Sequence, residues 1–308
     1  MNEPRSGAGS AAPSGEAATR SAAPSGEATA AGSVPRRTAG VIGLGQIGAG
    51  VAASLHRAGW AVVGCDVFPA AAARLPEGAR FASSPEELAE RSDVVLVAVL
   101  DDAQVRDVLT GASGVLGAEH PARAVAVLST INVATLEEVA AAGHLRGVGI
   151  VDCGVSGGVR AAREGTLVAM LGGDDAAVAA VRDAVDAFSS HAVHVGALGA
   201  GLRVKLARNL VTYGSWLVAH EAARLVEASG IDARRLAEVI RASDPMTGGV
   251  TALIGQEPSE RPAPDALSAI AHKDLGAALA TAAELGLDLP ATRLTDQRFD
   301  ELLGLVRE

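Results

Sequence analysis

The sequence predicts an α/β chain: a doubly wound sheet of Rossmann-like alternation in its first half, followed by an all-helical C-terminal domain. Three observations carry that expectation. From Ala39 to about Gly196, short apolar runs alternate with amphipathic helical stretches, a βαβα order that implies a parallel sheet covered on both faces. After Gly196 the strand signals stop, and apolar residues recur at helical spacing. Before Ala39 the chain is Ala, Ser, Gly, Pro, Glu and Thr with almost no large apolar side chain, and SAAPSGEA occurs twice, from Ser10 and from Ser21. Such a segment cannot bury enough surface to offset its ordering entropy. The expected division is a disordered leader over 1–38, an α/β domain over 39–196 and an all-helical domain over 197–308; 308 residues suit two domains.

The elements follow in order. Strands are expected at Ala39 to Leu44, Ala61 to Val67, Arg80 to Ala82, Asp93 to Leu100, Ala124 to Ser129 and Val148 to Asp152, each a short apolar run. Helices begin between them near Gln46, Ala70, Pro85, Ala103 and Ala134. A further strand pair, Thr166 to Leu171 and Ala192 to Val195, flanks a helix over Asp174 to Phe188. From Leu202 to Ser229 one proline-free helical pattern places Leu206, Leu210, Leu217 and Leu225 at near-helical spacing. Helices over Ala233 to Ala242, Leu267 to Leu285 and Leu294 to Val306 follow, with a long Gly/Pro-rich connection from about Ser243 to Pro264 of the kind that often lines a site.

Composition excludes several classes. Acidic residues number 36 against 26 basic, a net charge of −10, so nucleic acid is a poor partner. No apolar stretch approaches the roughly 18 residues that span a bilayer, which excludes a membrane protein. Cys65 and Cys153 lie far apart with no metal-ligand spacing around them, which points to a reducing, cytoplasmic compartment and no metal. Of the basic residues only Lys205 and Lys273 are lysine.

The string VIGLGQIGAG places Gly43, Gly45 and Gly48 between a strand and a helix, and Asp66 ends the second strand 21 residues beyond Gly45. That context is what a dinucleotide site needs: a glycine for the tight turn, one for close approach of the pyrophosphate, one for helix packing, and a helix N-terminus to receive the charge. Gln46 and Ile47 within the motif, and Leu100 after the fourth strand, are placed with the cofactor. Asp66 would accept from the ribose hydroxyls and repel a 2′-phosphate, which favours NAD over NADP. Arg74, the next basic residue, is too distant in sequence for the usual phosphate-binding arginine at the strand end.

Three further segments bear on chemistry. In DCGVSGGVRAAREGTL, a Ser-Gly-Gly turn exposes the Ser156 hydroxyl and the Gly157 and Gly158 amides, a set that suits a carboxylate. In GAGLRVKLARN, Lys205 and Asn209 share a helical face, and apolar neighbours favour partial desolvation of the lysine. In HKDLGAAL, Lys273 and Asp274 begin a late helical stretch.

With these four motifs in this order, the chain from about Thr38 resembles the β-hydroxyacid dehydrogenases, the family of 3-hydroxyisobutyrate dehydrogenase and tartronate semialdehyde reductase. The resemblance implies a nicotinamide cofactor on Gly43, Gly45 and Gly48, Thr130 beside the nicotinamide, substrate on Ser156, Gly157 and Gly158, Lys205 as catalytic acid and base with Asn209 as its partner, and Lys273 near the cofactor. It also implies a small carboxylate substrate and a homodimer or homotetramer formed through the C-terminal helices. The sequence departs from the family's D-x-P-V-S-G-G at Cys153 and Gly154, from its pattern after the fourth strand at Val99 to Asp102, at Ala126 and Val127 before the Ser-Thr pair, and at Arg160, where a small residue is common. The expected activity is hydride transfer between the cofactor and a short 3-hydroxy acid. The alternatives are an imine reductase-like enzyme, against which Lys205 speaks, and a non-catalytic NAD-binding redox sensor.

Overall fold

The computed structural model describes residues 37–247, 249 and 264–305. Positions 1–36 of the expected leader, and positions 248 and 250–263 of the Gly/Pro-rich connection, lie outside the described residues; Thr38, assigned to the leader, opens the first strand. The strands β1 (Thr38–Ile42), β2 (Ala61–Cys65), β3 (Arg80–Phe81), β4 (Val94–Val97), β5 (Ala124–Val127), β6 (Gly149–Ser156), β7 (Leu167–Gly172) and β8 (Ser189–Gly196) form one sheet in the order β3-β2-β1-β4-β5-β6-β7-β8. The central strands read VVLV and AVAV because both of their faces are buried. One core layer takes Val41, Leu96, Ala126, Val151 and Cys153; the other takes Ile42, Val95, Val97, Val127 and Ile150.

The helices are α1 (Gln46–Arg57), α2 (Pro85–Glu90), α3 (Asp102–Thr110), α4 (Val133–Leu145), α5 (Gly158–Glu164), α6 (Asp175–Phe188), α7 (Ala200–Ala228), α8 (Ala233–Thr247), α9 (Pro264–Glu284) and α10 (Pro290–Leu303). Among the described residues no helix is long and apolar enough to cross a membrane.

Three expectations are corrected. The sheet is not wholly parallel: β7 runs antiparallel to β6. A parallel return needs a crossover of a dozen or more residues, and the chain between Ser156 and Leu167 is too short to make one. The helix expected near Ala70 is a 3-10 turn over Pro69–Arg74, stopped because Leu75 precedes Pro76 and is held extended. The Ser-Gly-Gly turn runs straight into α5, which the positive φ angles of Gly157 and Gly158 disguised. Helices α9 and α10 also start earlier than expected, each on a proline, the residue suited to a first helical position.

A carboxylate of the sheet bonds the first turn of helix α7. Asp152, 3% exposed on β6, accepts from the Gly199 N–H at 2.7 Å through Oδ1 and from the Leu202 N–H at 2.6 Å through Oδ2. These are first-turn amides with no partner within the helix, and the carboxylate also faces the positive end of the helix dipole. Glycines let the backbones meet: a Cβ on Gly201 would lie 2.2 Å from the Met170 carbonyl oxygen, and one on Gly172 would lie 2.4 Å from Asp152 Oδ1. Further along α7, buried Glu221 repeats the device on α10, accepting from the Ala291 N–H at 2.7 Å, the Thr292 N–H at 2.9 Å and the Thr292 hydroxyl at 2.7 Å. Between α9 and α10, His272 lies 2.8 Å from Asp296 through Nδ1 and 3.1 Å from Asp300 through Nε2, and Ser268 donates to Asp300.

Two outcomes follow. Asp152→Ala leaves two buried amides without an acceptor and is expected to lower unfolding free energy by about 2–4 kcal/mol in denaturant titrations. The hydrogen bonds that His272 donates to Asp296, then to Asp300, raise its pKa above the ordinary value. Their support is therefore complete below the usual histidine range and is lost as pH rises through the raised pKa; amide protection in α10, taken relative to intrinsic exchange at each pH, should fall over that interval in the native protein and show no such step in His272→Gln.

Candidate functional site

Parallel strands β1, β2, β4, β5 and β6 end on one edge of the sheet, and their order reverses between β1 and β4. A crevice opens at such a switch point, beyond the carboxyl ends of the strands. Gly43, Gly45 and Gly48 follow β1, Asp66 follows β2, Leu100 follows β4, Thr130 follows β5, and Ser156 ends β6. The fold thus brings these residues to one edge.

The glycines differ in what they do. Gly43 has φ 86°, and a Cβ there would lie 2.5 Å from the Ala98 carbonyl oxygen. At Gly48 a Cβ would lie 1.8 Å from the Gly43 carbonyl oxygen, so this residue lets α1 close onto the turn. Gly45 faces open space. It is the N-cap of α1, which has neither a side-chain cap nor an acid in its first turn, so the helix end is ready for an anion. Gln46 and Ile47 form that first turn. The residues present therefore fit a dinucleotide pyrophosphate.

Asp66 accepts from the Leu44 N–H at 2.7 Å and from the Phe68 N–H at 2.9 Å, so its carboxylate is fixed at the loop's edge with lone pairs to spare for hydroxyl donors. Arg74, distant in sequence, is folded back by the 3-10 turn, and its Nη1 donates to the Leu44 carbonyl oxygen at 2.8 Å. A fixed anion and a guanidinium thus grip the same residue of the glycine loop. Leu100 is 84% exposed, and its N–H donates to Gln104.

Lys205 lies one turn into α7, and its Nζ donates to Thr130 Oγ1 at 2.6 Å. The half-buried ammonium is held below its ordinary pKa by desolvation, and the acceptor at its tip is a neutral hydroxyl rather than a carboxylate. Cys153, in the strand behind it, has its thiol pushed up to about 12 by burial and stays protonated. Thr130 is positioned by its neighbour Ser129, whose hydroxyl accepts from the Val99 N–H at 3.0 Å and donates to the Val99 carbonyl at 2.8 Å, stapling β5 to β4. Asn209 is one turn beyond Lys205 on the same helix, and its side-chain oxygen accepts from Arg208.

Gly157 and Gly158 are exposed at the start of α5. Helix α5 is bound to the dinucleotide helix: a Cβ on Gly50 would lie 2.8 Å from the Ala162 carbonyl carbon, and Ser54 Oγ donates to the Ala162 carbonyl oxygen at 2.9 Å. Lys273 lies on α9, a helix seated on α10 and α7. Neither Asp152 nor Ser129 is singled out by the sequence, which marks Gly154 only as a departure from the family pattern. A polar residue alternating with apolar ones inside a central strand is the signal that marks Asp152, whereas Ser129 and Gly154 act through neighbours that only the fold supplies.

Residues 38–196 match the family described as the NAD binding domain of 6-phosphogluconate dehydrogenase, and residues 199–305 match that described as NAD-binding of NADP-dependent 3-hydroxyisobutyrate dehydrogenase. An uncharacterized oxidoreductase of Mycobacterium tuberculosis is 38% identical over 86% of this chain and 93% of its own. A probable mitochondrial 3-hydroxyisobutyrate dehydrogenase of Dictyostelium discoideum is 31% identical over 81% of this chain and 80% of its own. Among solved structures, an oxidoreductase from Mycobacterium avium superposes with a TM-score of 0.78 at 34% identity, covering 87% of this chain and 99% of that one. An imine reductase from Myxococcus stipitatus shares the fold, with a TM-score of 0.70 at 17% identity, covering 88% of this chain and 94% of that one.

The two glycines of the loop are separable by experiment. Gly45→Ala, at an ordinary φ of −66° with nothing nearby, should leave unfolding free energy within about 0.5 kcal/mol of the parent. It should nonetheless weaken dinucleotide binding at least about tenfold by calorimetry, because the added methyl stands where the pyrophosphate approaches. Gly48→Ala, by contrast, should lower stability itself.

Proposed function

The chain belongs to the β-hydroxyacid dehydrogenase family, as an oxidoreductase of its 3-hydroxyisobutyrate dehydrogenase branch using a nicotinamide cofactor, and from that premise we propose that it oxidises a short 3-hydroxy acid, such as 3-hydroxyisobutyrate, with NAD. The observation that carries this reading is the Lys205 amine, delivered to Thr130 at the sheet edge where the glycine loop also opens. When bound, the nicotinamide supplies the hydride acceptor or donor.

Lys205 is the proton carrier in this reading. In the oxidation direction the neutral amine takes the substrate hydroxyl proton as the adjacent C–H bond breaks; in the reduction direction the ammonium returns a proton to the carbonyl oxygen. Desolvation lowers its pKa toward the range where both forms are available. Its bond to Thr130 aims Nζ, Asn209 orients the substrate hydroxyl from the next turn of α7, and Ser156 with the Gly157 and Gly158 amides receives the substrate carboxylate. Gly43, Gly45 and Gly48 with Gln46 and Ile47 hold the pyrophosphate, Asp66 the ribose, and Leu100, Thr130 and Lys273 complete the cofactor's surroundings.

A second copy of this chain is the expected partner. Tyr213 and Trp216 of α7, in ring contact at 5.4 Å, are 57% and 64% exposed, with Leu217 beside them at 52%. Large apolar side chains grouped on one helix support burial against another protein surface. The two buried, unbridged cysteines support a cytoplasmic setting.

The tests are kinetic. Lys205→Arg should reduce turnover to background while the dissociation constant for NAD stays near the parent value, since a guanidinium holds charge but does not surrender a proton. Comparable turnover in the variant would remove Lys205 from this role. In the parent, oxidation should rise and reduction should fall through one inflection below the ordinary lysine pKa of about 10.4. Initial rates with NAD and NADP over a panel of 3-hydroxy acids name the substrate, and activity with NADP alone would overturn the role of Asp66.

A further inference from the structure

Strand β6 directs alternate side chains to the face that receives α7. Asp152 caps the helix there, Ser156 ends the strand, and between them Gly154 presents no side chain. A Cβ on Gly154 would lie 2.9 Å from Lys205 Cβ, 3.2 Å from Lys205 Cδ and 3.0 Å from the Gly201 carbonyl oxygen. The lysine stem therefore lies against the bare backbone of β6 on its way to Thr130. The helix has no freedom to stand back, because Asp152 bonds its first turn and Gly201 packs on the Met170 carbonyl.

We infer that Gly154 is a positioning residue for Lys205: the space left by its missing side chain is the slot occupied by the lysine stem, and it sets the reach of the amine over Thr130 and its shielding from water. The inference rests on Lys205 being the proton carrier for its bearing on catalysis, though not for its geometry. With α7 seated as it is in this chain, closer than the family's proline at this position allows, a side chain at 154 must either tilt α7 or lift the stem off the strand. Both displace Nζ from the Thr130 hydroxyl, and both admit water to an ammonium whose lowered pKa comes first from desolvation. Neighbouring Val155 packs into the opposite core layer and supplies a control.

The test uses the scarcity of lysine. The chain contains only Lys205 and Lys273, so reductive ¹³C-methylation of the full chain yields two lysine signals beside the α-amine, and Lys205→Arg assigns them. In Gly154→Ala the titration midpoint of the Lys205 signal is expected to rise by about one pH unit, while that of Lys273 stays in place and Val155→Ala moves neither. The kcat is expected to fall about 10- to 100-fold, its pH inflection to move upward with the signal, and NAD affinity to hold. An unmoved midpoint, or parent-level kcat with an unmoved inflection, would overturn the inference. Should Gly154→Ala fail to fold, adding Lys205→Gly, which removes the lysine atoms in conflict and leaves only the 3.0 Å approach to the Gly201 carbonyl oxygen, is expected to restore cooperative thermal unfolding; a pair that still fails sinks the proposal. Because the titration needs no substrate, a parent inactive on every hydroxy acid would defeat the functional reading alone and leave the slot to be judged by the NMR signal.

Discussion

A single buried carboxylate, Asp152, determines where helix α7, and with it Lys205, stands on the sheet. Its two oxygens take two amides of the first turn of α7, and those bonds fix the helix in rotation as well as in position. Lys205 follows three residues after the second of these amides, so its direction is set by the cap. The cost is a charge held out of water: burial keeps the Asp152 carboxyl above the usual aspartate range even against the hydrogen bonds it accepts. A hydrophobic contact would be easier to bury, but it would not specify the angle of the helix.

The same device recurs one level further out. Glu221 of α7 caps α10 as Asp152 of β6 caps α7, so the sheet places one helix and that helix places the next. Apolar burial is dense around the sheet, whereas much of α7, α8 and α10 keeps large apolar side chains in contact with solvent, among them Trp216, Val239 and Leu294. Directional polar bonds thus set helix positions where the described core is thinnest.

The parts legible in the sequence are those with local causes. Gly43, Gly45 and Gly48 could be read because turn, approach and packing each leave a glycine at a fixed spacing, and the continuous runs of β4 and β5 announced strands buried on both sides. What was not legible depended on partners far along the chain. Arg74 was dismissed on spacing because nothing local shows that a 3-10 turn carries it back to Leu44. The reversal of β7 lay in the length of one connection. Gly154 looked like a departure from a family pattern, whereas next to α7 it is the place where a stem must pass.

The contact between α1 and α5 has a consequence for molecular scale. The N-terminus of α1 is the anion site, and the start of α5 is the Ser-Gly-Gly turn; the two helices meet backbone to backbone at Gly50 and Ala162, with Ser54 bonded across the seam. No flexible side chain separates them, so the interval from one end of the crevice to the other is a fixed gauge. The spacing of the two helix starts is then a property of the scaffold, and changing it would mean rebuilding a helix junction rather than exchanging one exposed residue.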